Sequence, residues 1–263
     1  MPAWDPGQYL RFGAERTRPA QDLCARIPGA PRRILDLGCG PGNSTAVLRE
    51  RWPDAAITGL DSSPEMIAQA RAGHPAGTWI LDRAESYGPP EPLDLVFSNA
   101  VLQWLPDHAR LLPRLMGWIA PGGCLAVQIP AGGRTGLRAA LAIVAARPRW
   151  QAALAGAEAA LTFHDAPFYY DQLAPIAGRV DLWETVYHHP LASHEALVAW
   201  YEATGLRPYL DRLPDPAART AFKAELLEAC REEFPVAADG KVVLPFRRLF
   251  LVASAEDGAR GRV

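Results

Sequence analysis

Apolar positions along the chain change their period several times. Mostly apolar runs at 34–37, 56–60, 78–81, 92–99 and 124–129 read as buried strands. Between them, apolar residues recur at helical spacing, as in Met66, Ile67 and Ala70 or Leu111, Leu112, Leu115 and Trp118. Strands alternating with helices imply parallel pairing through right-handed crossovers. Two further runs, 180–187 and 249–253, bring the strands to seven. The prediction is an α/β fold with a doubly wound, mostly parallel seven-stranded sheet.

The regular alternation stops at Pro130. Residues 134–161 are alanine-rich and helical in pattern, and 194–203 and 215–234 are amphipathic, the latter with Phe222, Leu226, Cys230 and Phe234 on one stripe. Helical material inserted late in such a sheet is placed to cap a crevice. The expected organisation is an N-terminal helical segment over the site (1–30), an α/β core (31–133), helical insertions forming a lid around one core strand (134–246), and a last strand with its tail (247–263). Leu10, Ala14, Ala20, Leu23 and Ile27 fit one or two helices, broken near Pro19. Ser62 and Glu65 have the spacing of a capping box, and Pro121-Gly122-Gly123 reads as a turn before the strand at 124.

The chemistry gathers where the first strand ends. Glycines at 38, 40 and 42 follow it directly, and Asn43-Ser44 open the next helix. Glycine allows positive φ and close approach of a ligand to the main chain, while the helix start offers free N–H groups. About 20 residues on, the second strand ends in Asp61, an acid placed to accept hydrogen bonds from ribose hydroxyls. The spacing is G-x-G-x-G rather than G-x-G-x-x-G, and Asp36 before it suits a cationic amino group better than a pyrophosphate. In a parallel sheet the strand carboxyl ends face the crevice, so Ser98, Asn99 and Ala100 should line it. Trp104, just beyond, is expected in the pocket wall, although a core position is the commoner fate of a tryptophan.

Composition narrows the partners. The 263 residues are 49% hydrophobic and 21% charged, with a formal net charge of −2 and no basic stripe, which gives no reason to expect nucleic acid. Cys24, Cys39, Cys124 and Cys230 are scattered without metal-ligand spacing, so reduced thiols in a cytoplasmic protein are expected, with no metal. No apolar run approaches membrane-spanning length and no signal peptide opens the chain. A monomer or weak dimer is expected.

The chain resembles the class I S-adenosylmethionine-dependent methyltransferases, with a Rossmann-like core, and within them the trans-aconitate 2-methyltransferase family. The resemblance rests on Ala14-Glu15-Arg16-Thr17-Arg18-Pro19-Ala20, the 36–45 glycine motif, 57–64, Leu102-Gln103-Trp104-Leu105-Pro106-Asp107-His108, Thr204-Gly205-Leu206-Arg207-Pro208 and Arg248-Leu249-Phe250. It implies S-adenosylmethionine as cofactor, with its methionine part on Gly38 and Gly40, its ribose on Asp61, and Asn99 and Ala100 near the sulfonium. Arg16, Asp36, Asn43, Ser62, Met66 and Trp104 would complete that site. Asp82-Arg83 stands where the family places Ala-Asp, so Asp82 would meet the adenine from a one-residue offset.

The implied acceptor is a small polycarboxylic acid, converted to a methyl ester. A carboxylate is ionised at neutral pH without help, so no catalytic base is expected. Tyr9, Arg16, Trp104, Tyr169, Tyr170 and Arg248 are the candidate substrate contacts, since arginine's fork suits carboxylates. Two alternatives stand beside this: an amine or phenol methyltransferase, for which His164 could serve as base, and a non-catalytic cofactor-binding protein.

Overall fold

The computed structural model describes residues 13–132, 136–202 and 205–257, with backbone alone for 13–16. Seven strands form one sheet: β1 (Arg33–Leu37), β2 (Ala56–Asp61), β3 (Thr78–Leu81), β4 (Leu93–Asn99), β5 (Ile119–Pro130), β6 (Arg179–Leu191) and β7 (Val242–Ser254). Their order is β3-β2-β1-β4-β5-β7-β6. β1 to β5 pair in parallel, and β7 runs antiparallel between β5 and β6. The predicted mostly parallel α/β sheet is present. Order reverses beside β1, with β2 on one side and β4 on the other, which puts the ligand crevice at their carboxyl ends.

Each strand keeps its faces by alternation. Ile34, Leu95, Phe97, Ala126, Phe250 and Val252 point to one side, under α1 (Gly13–Arg26) and α2 (Asn43–Arg51). Leu35, Leu37, Val96, Val127 and Leu251 point to the other, against α4 (His108–Met116) and α7 (Ala166–Leu173); α3 (Pro64–Gly73) packs on β2 and β3. A third apolar cluster belongs to the later helices α5 (Leu137–Ala145), α6 (Pro148–Gln151), α8 (His194–Glu202), α9 (Arg207–Leu210) and α10 (Pro216–Glu233), which also use the ends of β6 and β7.

Three local expectations are corrected. α1 runs unbroken from Gly13 through Pro19 to Arg26, packed against β5 and β7, where the sequence suggested a break. The cap of α3 is Ser63, whose hydroxyl accepts from the Met66 N–H at 3.2 Å, so Ser62 is released to the crevice. Residues 120–123 lie inside β5, which begins at Ile119 opposite Leu93; they interrupt its ladder, since the next pair is Leu95 with Cys124, and Gly122 has φ 75°.

Candidate active site

A cavity of about 390 Å³ opens at the carboxyl ends of β1, β2 and β4. Its floor is Gly38, Gly40 and Pro41; its walls include Leu37, Leu60, Met66, Ala84, Val101 and Leu105; Asp61, Ser62, Asp82 and Asn99 supply the polar groups. Few polar groups among apolar walls is the usual make-up of a nucleoside-sized pocket. Trp104 stands in the wall. Arg207, Pro208, Asp211 and Arg212 of the helical insertion, with Ala160, form the outer rim.

The floor is bare for a reason. Gly38 has φ 71°, and its N–H donates to the Leu60 carbonyl at 2.7 Å, which pins the turn to β2. A Cβ there would collide with the Val101 side chain, so only glycine fits. Gly40 N–H donates to Asp61 Oδ2, and Ser63 N–H to Asp61 Oδ1, both at 2.9 Å. Asp61 therefore binds the glycine turn to the start of α3, and each oxygen keeps a lone pair for a ligand hydroxyl. Burial raises its pKa while those N–H groups hold it down.

Asp36 is fully buried beneath the turn. Its Oδ2 accepts from the Ser44 and Thr45 hydroxyls at 2.7 and 2.6 Å, which locks β1 to the first turn of α2. Burial pushes its pKa up to about 6, and the neighbouring Asp61 charge adds to that. Its Oδ1 has no partner, nor has the buried Asn99 Oδ1. Orphaned acceptors beside a bare backbone fit a ligand that brings its own donors and a positive charge. Asn43, Ser44, Thr17 and Asn99 line a small crevice on this side of the turn.

Of the three residues expected to line the crevice, Asn99 and Ala100 do, while Ser98 is fully buried with its hydroxyl donating to the Leu37 carbonyl at 3.1 Å; Ala100 adopts φ 60°, rare for a residue with a Cβ, as the chain leaves β4. Asp82 is at the rim, with Oδ1 engaged by the Arg83 N–H at 2.7 Å and the Ser86 hydroxyl at 2.9 Å. Arg248 is buried on β7 outside the cavity wall, with its Nη1 3.4 Å from Gln128 Oε1. Tyr9 lies outside the described residues, and so does the Arg16 side chain.

The two tyrosines require correction as substrate contacts. Tyr169 is fully buried in the core beneath α7, where its hydroxyl meets His108 Nδ1 at 2.8 Å. Tyr170 is 52% exposed. Successive helix residues point about 100° apart, and neither tyrosine is among the residues that line the cavity. His108 in turn holds the Leu102 carbonyl through Nε2 at 2.8 Å and so braces the turn that carries Trp104. His164, the possible base, stacks on Phe168 at 3.7 Å and is not a lining residue.

A family described as a methyltransferase domain matches residues 34–123. Sheet order, glycine turn and the acid ending β2 make this an S-adenosylmethionine-dependent methyltransferase of the class I fold. Trans-aconitate 2-methyltransferase of Methylobacterium nodulans is 51% identical over 255 residues, covering 96% of this chain and 98% of that protein. The protein of the same name from Methylobacterium radiotolerans is 48% identical over 257 residues, with the same coverage. The chain belongs to the trans-aconitate 2-methyltransferase family. The crystal structure of the YcgJ protein of Bacillus subtilis has the same fold, with a TM-score of 0.59 over 92% of this chain and 100% of that one at 12% identity.

Proposed function

We propose that this enzyme esterifies one carboxylate of a small polycarboxylic acid, trans-aconitate before others. The observation that carries this reading is identity of about half the positions, spread over nearly the full length of proteins bearing that name. When bound, S-adenosylmethionine supplies a methyl group activated by a sulfonium. Asp61 holds its ribose, Gly38 and Gly40 present backbone to its methionine part, and Asp36 faces the ammonium; Asn43, Ser62, Met66 and Asp82 border it. Trp104 and Arg248 serve the acid.

A carboxylate, with a pKa of roughly 4, needs no proton removed before it attacks. The chain's work is then alignment, worth up to ~7–11 kcal/mol in well-oriented reactions, and exclusion of water by the helical insertion. His164, packed against Phe168, is poorly placed for the base that an amine or phenol acceptor would want. All four cysteines are free and buried, which suits a cytoplasmic enzyme. Among the described residues no helix is long and apolar enough to cross a membrane. A monomer or weak dimer remains our reading.

Purified protein given methyl-labelled cofactor and a panel of di- and tricarboxylic acids should yield a base-labile methyl ester, fastest with trans-aconitate. Base-stable N-methyl or aryl ether product, or no transfer to any acid, would refute this.

A further inference from the structure

Five neighbouring strands each set one polar side chain on the α1-covered face near the cavity end of the sheet: Asp36 on β1, Asn99 on β4, Gln128 on β5, Arg248 on β7 and Tyr187 on β6. Deeper on the same face the residues are apolar. Two of the five are anchored elsewhere, Asp36 to α2 and Tyr187 to Asp22 of α1. Gln128 is different. It is fully buried in an otherwise apolar strand, and its Nε2 has no partner.

The orientation of that amide follows from chemistry. Arg248 can only donate, so the Gln128 oxygen must face it, as the 3.4 Å contact from Nη1 shows. The unused group is therefore a donor, set beside a buried guanidinium that also lies over the Phe246 ring at 4.2 Å. An idle buried donor next to a cation is what an acceptor-rich anion would satisfy. In register, Gln128 pairs with Asn99, which lines both the cavity and the small crevice. One strand spacing, about 4.8 Å, thus separates the cofactor side from this donor.

We propose that Gln128 is a specificity-determining residue of this enzyme: its Nε2, with the Arg248 guanidinium, holds a carboxylate of the acceptor other than the one that is methylated. This rests on the polycarboxylate reading above. It makes the second carboxylate, rather than the alkyl skeleton, the feature by which the acid is chosen.

The test is calorimetric titration of trans-aconitate into protein saturated with S-adenosylhomocysteine, for wild type, Gln128→Met and Gln128→Asn. A lost hydrogen bond to a charged group should weaken the acid by about tenfold or more in Gln128→Met. Gln128→Asn, with a shorter arm, should fall between, and S-adenosylhomocysteine affinity should stay within about twofold for all three. Gln128→Glu should bind acid worst, because its carboxylate takes Arg248 and repels the ligand. Unchanged acid affinity in Gln128→Met, or parallel loss of both ligands, overturns the assignment. If Gln128→Met does not fold, Gln128→Asn decides alone. Wild type that takes S-adenosylhomocysteine but no acid rejects the substrate reading itself, whereas equal acid binding by wild type and variants rejects only the role of Gln128.

Discussion

Asp36, buried beneath the glycine turn, is where the proposed cofactor site bears on the stability of the fold. Its folded pKa, about 6, lies above the ordinary 3.8 because it is buried. A raised folded pKa means the protonated group favours the fold: that stability is complete below about pH 3.8 and is lost as pH rises through about 6. About two pKa units correspond to about 3 kcal/mol, so at pH 7 the ionised, half-partnered carboxylate strains the cofactor-free protein. Asp36→Asn should therefore gain stability relative to wild type between pH 4.5 and 7 in urea unfolding. Cofactor affinity should run the other way, tightening about tenfold or more from pH 5 to 7 as Asp36 ionises to meet an ammonium. Asp61 also has a raised pKa, so loss of that pH dependence in Asp36→Asn, followed by calorimetry, isolates Asp36. Gly38→Ala asks a complementary question: positive φ and collision with Val101 should destabilise by about 1–3 kcal/mol and abolish S-adenosylhomocysteine binding. That Gly38, Asp61 and Trp104 line the cavity was legible because each sits at or closely follows the carboxyl end of an apolar strand. Tyr169 was not, since its distance to the crevice depends on how α7 docks. Gln128 left a signal in the sequence, a lone amide interrupting Cys124-Leu125-Ala126-Val127-Gln128-Ile129, that periodicity treats as noise.

At the scale of elements, α1 is held to the far edge of the sheet by a buried hydrogen bond and by an exposed ion pair, Arg26 Nη1 to Asp181 Oδ2 at 3.2 Å. The buried Tyr187 of β6 donates its hydroxyl to Asp22, and Arg18 lies over the same ring at 5.2 Å. Burial and the Asp22 charge both push the tyrosine pKa up, so the phenol stays protonated and the bond persists across the physiological range. Tyr187→Phe should cost about 1.5–3 kcal/mol. Because the apolar contacts of Leu23, Cys24 and Ile27 remain, the effect should appear as faster amide exchange within Gly13–Arg26, with β1 and β4 unchanged; uniform acceleration would show that α1 is not a separable unit. Strand existence was read correctly throughout, since each strand has a mostly apolar stretch where it crosses the buried width of the sheet. Their ends were not. β6 and β7 extend to Leu191 and Val242 because they pair with each other beyond the sheet's buried width, where alternating exposure hides a strand from a search for apolar runs. Ser63 rather than Ser62 caps α3 because Asp61 Oδ1 already takes the Ser63 N–H and fixes its backbone.

For the whole molecule, the question is whether the sheet and the helical insertion act together. The insertion has its own apolar cluster, yet it meets the site twice: Thr162 N–H donates to the Gln103 carbonyl at 2.8 Å, and Arg207, Pro208, Asp211 and Arg212 stand at the cavity rim. Arg212 is itself tied to the Pro208 and Gly156 carbonyls at 3.0 and 3.2 Å, so the rim moves as one piece with the insertion. A ligand filling about 390 Å³ touches both parts and binds neither in the unfolded chain. At a hundredfold excess over Kd it should add about 2.7 kcal/mol, which for a chain of this size is a rise in Tm of roughly 5–10 °C. The insertion should share that gain. Hydrogen exchange with S-adenosylhomocysteine should slow at residues 206–212 as well as at 37–41 and 60–66. Protection confined to the sheet would mean that the rim stands aside from the cofactor, and that exclusion of water from the transfer has to come from the N-terminal side, over α1, rather than from the insertion.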